Sequence, residues 1–256
     1  MPTADKTNLK QVLRDECLPA LGGQSKYYNA EAVNAWLQKR KLRCPPATLN
    51  RYLHEFTRAG LVFAAGRGWY SSLATPFALN REPVSSLVQE LNKTFPLLEF
   101  SCWSTQQVNP YMHHLLGKFV AFVQTDPDAL ESVFEFLRDA GYDAHLNPTG
   151  QEKKRFMVRQ KTVVVRRRTS GAPTDGHFAS IESILVDLYL ETNRLGLMDL
   201  EEFRGMARRL VASSRIEMSS LVSYAERREQ SLKDIFGSAE SIISDFFKNP
   251  ELIDSP

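Results

Sequence analysis

No run of this 256-residue sequence approaches the roughly 18 consecutive apolar residues that a membrane-spanning helix needs, so no membrane partner is expected. The N-terminus lacks a charged-then-apolar leader, which points to the cytoplasm. Cysteine is scarce: Cys17, Cys44 and Cys102 stand far apart, with neither a disulfide framework nor a paired zinc spacing. His113 and His114 are adjacent, so a helix would aim them about 100° apart and they could not share a metal as an i, i+4 pair does; one buried and one exposed histidine is expected. Gly66-x-Gly68 lies in a hairpin turn, not between a strand and a helix, so it is no phosphate-binding loop. No Ser/His/Asp or Cys/His arrangement, internal repeat or low-complexity tract is present. The expectation is a protein without cofactor, metal or catalytic residue.

What the sequence does have is an uneven charge. The chain carries only +2 overall, but residues 1–75 hold 11 Lys/Arg against 5 Asp/Glu, while residues 178–256 sum to −5. A basic N-terminal module on a mildly acidic body suggests a polyanionic partner for that module.

Helical periodicity opens the module. Leu9, Val12, Leu13, Cys17 and Leu18 recur at three- and four-residue steps up to Gly22-Gly23. Asn29 caps a second helix with Val33, Trp36 and Leu37 on one face, closed by Lys39-Arg40-Lys41. Pro45-Pro46 starts a third, with Leu49, Tyr52, Leu53 and Phe56 inward and Gly60 as its stop. Two short strands around Gly66-Arg67-Gly68 follow. Three helices and a hairpin form the order of a winged helix-turn-helix.

Further on, Pro83 opens a helix bearing Val84, Leu87, Val88, Leu91 and Phe95. Strands are expected at 97–103, 118–124, 142–147, 156–159 and 162–166. The helix between the second and third is capped by Asp126 and ended by Gly141. A polar stretch at 169–177 reads as a linker, and everything after it as helix, with further helices near 219–230 and 238–248. The fold class is α+β in three parts: a winged helix at 1–75, a mixed middle domain at 83–168 and a helical C-terminal domain at 178–256.

Chemistry concentrates in the third helix. With its apolar stripe inward, Thr48, Asn50, Arg51 and His54 lie on outer faces that suit a DNA major groove, since Arg can pair with guanine, Asn with adenine, and a Thr methyl can touch thymine. Lys41 and Arg43 in the preceding basic stretch would meet phosphates, and Arg67 between two glycines could reach backbone or minor groove. Lys153-Lys154-Arg155, Arg159-Gln160-Lys161 and Arg166-Arg167-Arg168 suggest a second basic hairpin, which blunts a sheet edge or adds a nucleic-acid surface. Two alternatives remain open. One is a metal-dependent nuclease using Asp143 and Glu152-x-Lys154, the other a protein-binding scaffold.

Several phrases resemble AbiEi-like antitoxins. In the first module these are Thr48-Leu49-Asn50-Arg51-Tyr52-Leu53, Ala59-Gly60-Leu61-Val62 and Gly68-Trp69-Tyr70. Beyond it come Cys102-Trp103-Ser104-Thr105, Asn109-Pro110-Tyr111-Met112-His113-His114, the segment around Ile181 to Leu188 that includes Asp187, and Tyr224-Ala225-Glu226-Arg227-Arg228. The resemblance implies a bacterial type IV toxin–antitoxin or abortive-infection antitoxin. Such a protein represses its own operon by binding double-stranded operator DNA. It counters a nucleotidyltransferase-like toxin without a stable complex, and no catalytic residue comes with it. The acid at Asp187 also has a counterpart there, for which helix packing or capping is the expected role.

Overall fold

The computed structural model describes residues 6–237. The chain is a mixed α+β protein whose C-terminal region is helical, and it divides into two compact units. Among the described residues no helix is long and apolar enough to cross a membrane.

The first unit takes residues 6–77 and, from much later in the chain, Val211–Ser219. It opens with α1 (Lys6–Val12), a π turn (Leu13–Cys17) and α2 (Leu18–Gln24) as one helical run. Gly22-Gly23, expected to end the helix, lie inside its last turn, and the stop comes at Ser25, whose N–H bonds the Leu21 carbonyl at 2.9 Å. β1 (Tyr27–Asn29) follows, then α3 (Ala30–Lys39), capped as its sequence requires: Asn29 Oδ1 accepts the Ala32 N–H at 2.8 Å. α4 (Pro46–Arg58), β2 (Phe63–Ala64) and β3 (Trp69–Ser71) complete the run. The strands form an antiparallel sheet in the order β1-β3-β2.

α3 and α4 end in the same way. The Lys41 N–H bonds the Gln38 carbonyl and the Leu42 N–H the Leu37 carbonyl, while Gly60 and Leu61 repeat the pattern onto Thr57 and Phe56. This is a Schellman cap, which needs one residue in left-handed backbone. Gly60 meets that need at φ 70°; after α3 it falls to Lys41 at φ 59°, which has no glycine's freedom. The shared core includes Leu13, Val33, Trp36, Leu37, Leu49, Tyr52, Leu53 and Phe56.

The late segment is stitched into this unit. The Tyr27 hydroxyl donates to the Ser214 carbonyl and accepts the Ile216 N–H, each at 3.0 Å. Arg215 donates to the Leu73 and Ala74 carbonyls, and its guanidinium lies 5.1 Å from the centre of the Phe63 ring.

The second unit takes Ala78–Leu210 and Ser220–Gly237. Its six-stranded sheet has the order β6-β7-β5-β4-β9-β8, from β4 (Phe100–Ser104), β5 (Val120–Thr125), β6 (Asp143–Leu146), β7 (Thr162–Arg167), β8 (Thr174–Asp175) and β9 (Phe178–Ala179). β6, β7 and β5 run parallel, and β4 lies antiparallel to β5. Alternation along the strands sends Phe100, Cys102, Val123, Val163 and Val165 into a core with α5 (Glu82–Thr94) and α6 (Leu130–Asp139). The intervening residues, among them Trp103, Phe122, Gln124, Val164 and Arg166, point to the other face. There lies α7 (Ile181–Leu195), buried on most sides. α8 (Leu200–Ser213), α9 (Met218–Arg227) and α10 (Leu232–Phe236) follow.

Four further expectations need correction. Residues 156–159 form no strand: both edges of β7 are taken, by β5 and by β6, so a hairpin partner has no ladder to join. Residues 169–177 are no linker, because Thr174–Asp175 pairs with Phe178–Ala179 as a hairpin beside β4. Asp126 makes no capping hydrogen bond; it accepts from Arg168 at 3.2 Å, ahead of a 3-10 turn (Pro127–Ala129) that leads into α6. Both His113 and His114 are exposed, with ring centres 4.6 Å apart. The helix expected at 238–248 lies outside the described residues.

Candidate functional site

Two places gather candidate functional side chains. The first is α4, whose buried stripe leaves Asn50, Arg51, His54 and Arg58 exposed and Thr48 half-buried at the edge of the same arc. Glu55 draws Arg51 (3.8 Å) and Lys10 (2.6 Å) toward it, a partial neutralisation of one flank only. In the α3–α4 connection Lys41 and Arg43 are exposed, and Arg40 stacks on Trp36 with 3.5 Å between guanidinium and ring centre.

Arg67 is exposed at the β2–β3 turn, but that turn is tethered. The Arg67 N–H bonds Ser219 Oγ at 3.1 Å, and the Ser219 N–H bonds the Ala65 carbonyl. A Cβ on Gly66 would sit 1.9 Å from Ser219 Oγ, so glycine is required there for close approach as well as for its φ of 93°. Sequence reading gave the glycines a turn role and missed the serine that packs on them.

The second place is a cavity of about 510 Å³ on the α7 side of the second unit's sheet. Its cations come from three elements: Arg166, Arg167 and Arg168 at the end of β7, Arg194 on α7, and Arg227 and Arg228 at the end of α9. Three acids of the lining, Asp187, Glu191 and Glu229, stand against these six arginines, and Arg168 also pairs outside it with Glu99 and Asp126.

Asp187 and Glu191 lie one helical turn apart on α7, at 2% and 3% exposure. Glu191 takes a bidentate pair from Arg166, 3.0 and 2.6 Å, and Arg166 also reaches the Pro148 carbonyl at 2.7 Å. Asp187 accepts from Gln124 Nε2 at 2.7 Å, from the Tyr224 hydroxyl at 3.0 and 3.1 Å, and from Arg228 at 3.2 Å. The Gln124 amide is itself oriented by Ser101, whose hydroxyl donates to Oε1 at 3.4 Å. Burial pushes the Asp187 carboxyl above the usual range, against the opposing pull of Arg228, Gln124 and Tyr224. Helix packing or capping therefore understates Asp187: its carboxylate ties β5, α7 and the end of α9 together through polar contacts.

Trp103 and Phe122 form the floor, stacked at 4.1 Å between ring centres. Trp103 is fully buried, and its Nε1–H, which can only donate, has no acceptor among the described residues.

Of the nuclease alternative's residues, Asp143 lies at the start of β6. Asp143 accepts from Thr162 at 2.8 Å and faces His145 and Arg159. Burial opposes its ionisation, but Thr162, His145 and Arg159 together hold its carboxyl below the usual range. Among the described residues no cluster of three or more His, Cys, Asp or Glu could hold a metal ion, and the Glu152 side chain is outside them.

A family model matches residues 48–238, about three quarters of the chain. The chain belongs to this family, a family of unknown function (DUF6577). The DUF6577 match opens within α4, so it takes in Asn50, Arg51, His54 and Arg67 but not Lys41 or Arg43, and it spans the whole cavity lining. No curated protein matches the sequence.

Proposed function

We propose that this chain is a DNA-binding transcriptional repressor whose first unit is a winged helix-turn-helix with α4 as its recognition helix. One observation carries the proposal: the outer arc of α4 presents Asn50, Arg51, His54 and Arg58 to solvent, next to a connection that exposes Lys41 and Arg43. Arginine and asparagine on one helical face are the side chains that pair bidentately with guanine and adenine edges, and the flanking cations suit phosphates. The order helix, strand, two helices and a hairpin supports the fold assignment, with Arg67 at the tip of the wing. From the resemblance to AbiEi-like proteins we extend the proposal to an antitoxin. It would autoregulate its operon and counter a nucleotidyltransferase-like toxin, acting in the cytoplasm.

The test uses the full chain. Fluorescence anisotropy against its own promoter duplex should show affinity falling steeply with salt, as counterion release requires. Asn50→Ala and Arg51→Ala should each cost about 1–3 kcal/mol on that duplex and less on random DNA. In cells, the Asn50→Ala/Arg51→Ala double variant should lose promoter repression while still rescuing growth from the toxin. Flat salt dependence, or equal losses on both duplexes, defeats the DNA assignment; loss of rescue along with repression defeats the antitoxin extension.

A further inference from the structure

The arginine cavity is unaccounted for by a role for α4 on DNA, and it belongs wholly to the second unit. Charged residues are seldom buried unless they are paired, because desolvation of each ion costs several kcal/mol. Here the pairing is uneven. Arg166 has been withdrawn to 11% side-chain exposure and Arg228 to 14%, and their buried acids fix where they stand. Arg167, Arg194 and Arg227 add exposed charge at the rim. Arg227 is placed as well: its Nη1 donates to the Ser170 carbonyl at 3.3 Å, and a Cβ on Gly171 (φ 68°) would fall 1.4 Å from that nitrogen. The backbone of 170–171 is thus shaped to admit the guanidinium.

Arg168 is held by Glu99 and Asp126 and Arg194 by Glu191, so Arg167 and Arg227 stand beside them without an acid among the described residues, and such an array of oriented guanidiniums calls for a polyvalent oxyanion. Guanidinium forks match phosphate oxygens two at a time, and cations arriving from β7, α7 and α9 suit several phosphate groups better than one carboxylate. The volume, about 510 Å³, falls in the range of small-molecule sites and exceeds what bare phosphates fill. We propose that this cavity binds a ligand carrying two or more linked phosphate groups, a nucleoside polyphosphate by size.

Isothermal titration of the full chain with inorganic pyrophosphate and with ATP tests this. Both should bind with one-to-one stoichiometry, ATP more tightly. The Arg167→Ala/Arg227→Ala double variant, which removes two rim cations and leaves the buried acid pairs intact, should weaken binding at least about tenfold. Arg51→Ala on α4 should leave it unchanged. If the double variant loses its cooperative thermal transition, Arg194→Ala serves in its place and should weaken both probes. Absence of heat with both probes at low millimolar concentration overturns the proposal. So does a loss with Arg51→Ala equal to that of the rim variants, which would move the phosphates to α4 and leave the cavity empty. Binding of a single-stranded oligonucleotide, with neither small probe bound, overturns it in favour of nucleic acid.

Discussion

The α4 face and the cavity are both arginine-bearing, yet they hold their charge in opposite ways. On α4 the Arg51 side chain is 61% exposed and its acid, Glu55, stands at 3.8 Å across one helical turn, a geometry that contributes a few tenths of a kcal/mol at most. In the cavity Arg166 meets Glu191 at 2.6 Å and Arg228 meets Asp187 at 3.2 Å, with both acids almost wholly buried. The lesson concerns what each arrangement can do. Mobile, solvated cations are cheap to hold and easily screened, which suits a partner whose sequence varies and whose contacts must form and break. Cations anchored by buried acids cannot adapt, but they are positioned before a ligand arrives.

The largest effect that would test this contrast is at Asp187. Asp187→Ala strands Arg228 without its buried partner and should cost about 3–5 kcal/mol in urea unfolding, whereas replacing both groups by apolar side chains (Asp187→Leu with Arg228→Met) should recover part of that loss. A cost below about 1 kcal/mol for the single variant would erase the distinction between the two sites. Next comes Tyr27→Phe, which leaves the Ile216 N–H buried without an acceptor and should cost about 1–3 kcal/mol by the same measurement, with little change in pyrophosphate binding. An unaltered unfolding midpoint would show that the late segment is not needed by the first unit. The smallest is Lys41→Gly. It removes the left-handed strain after α3 and should raise stability by about 0.5–1 kcal/mol while weakening DNA binding, so that affinity and stability move in opposite directions. Parallel movement of the two would remove Lys41 from the phosphate contacts.

Much of the fold is legible in the sequence because it rests on local signals. The α4 stripe of Leu49, Tyr52, Leu53 and Phe56 declares itself by spacing, and Asn29, Pro46 and Gly60 mark helix ends by backbone chemistry that needs no neighbour. β1 is invisible for the opposite reason: three residues are too few to show alternation, and Tyr27 and Tyr28 become a strand only by pairing with β3. At 156–159 the alternation of Phe156 and Val158 misleads, since a strand also requires a free edge. The α4 candidates can be named from sequence because an outer face is simply what the apolar stripe leaves over. The cavity cannot. Arg166, Asp187 and Arg228 lie some 20 to 40 residues apart, and a sequence gives no sign of which arginine will be buried against which acid. Asp187 and the Tyr224-to-Arg228 segment each stand out in the resemblance, but their meeting through Tyr224 and Arg228 is a tertiary fact.

The stitching of Val211–Ser219 into the first unit has a consequence in time. A chain synthesised from its N-terminus makes α4 and the β2–β3 hairpin early. Ile216 and Ser219, which bond Tyr27 and the turn at Gly66, come only after more than 130 further residues. At roughly 5–20 residues per second the gap is on the order of ten seconds. Until then Tyr27 and the hairpin lack those contacts, so the surface proposed to bind DNA should mature only when the second unit has been almost wholly made. A nascent chain that stalls, or is cut before residue 211, would carry α4 without the segment that secures the hairpin beside it.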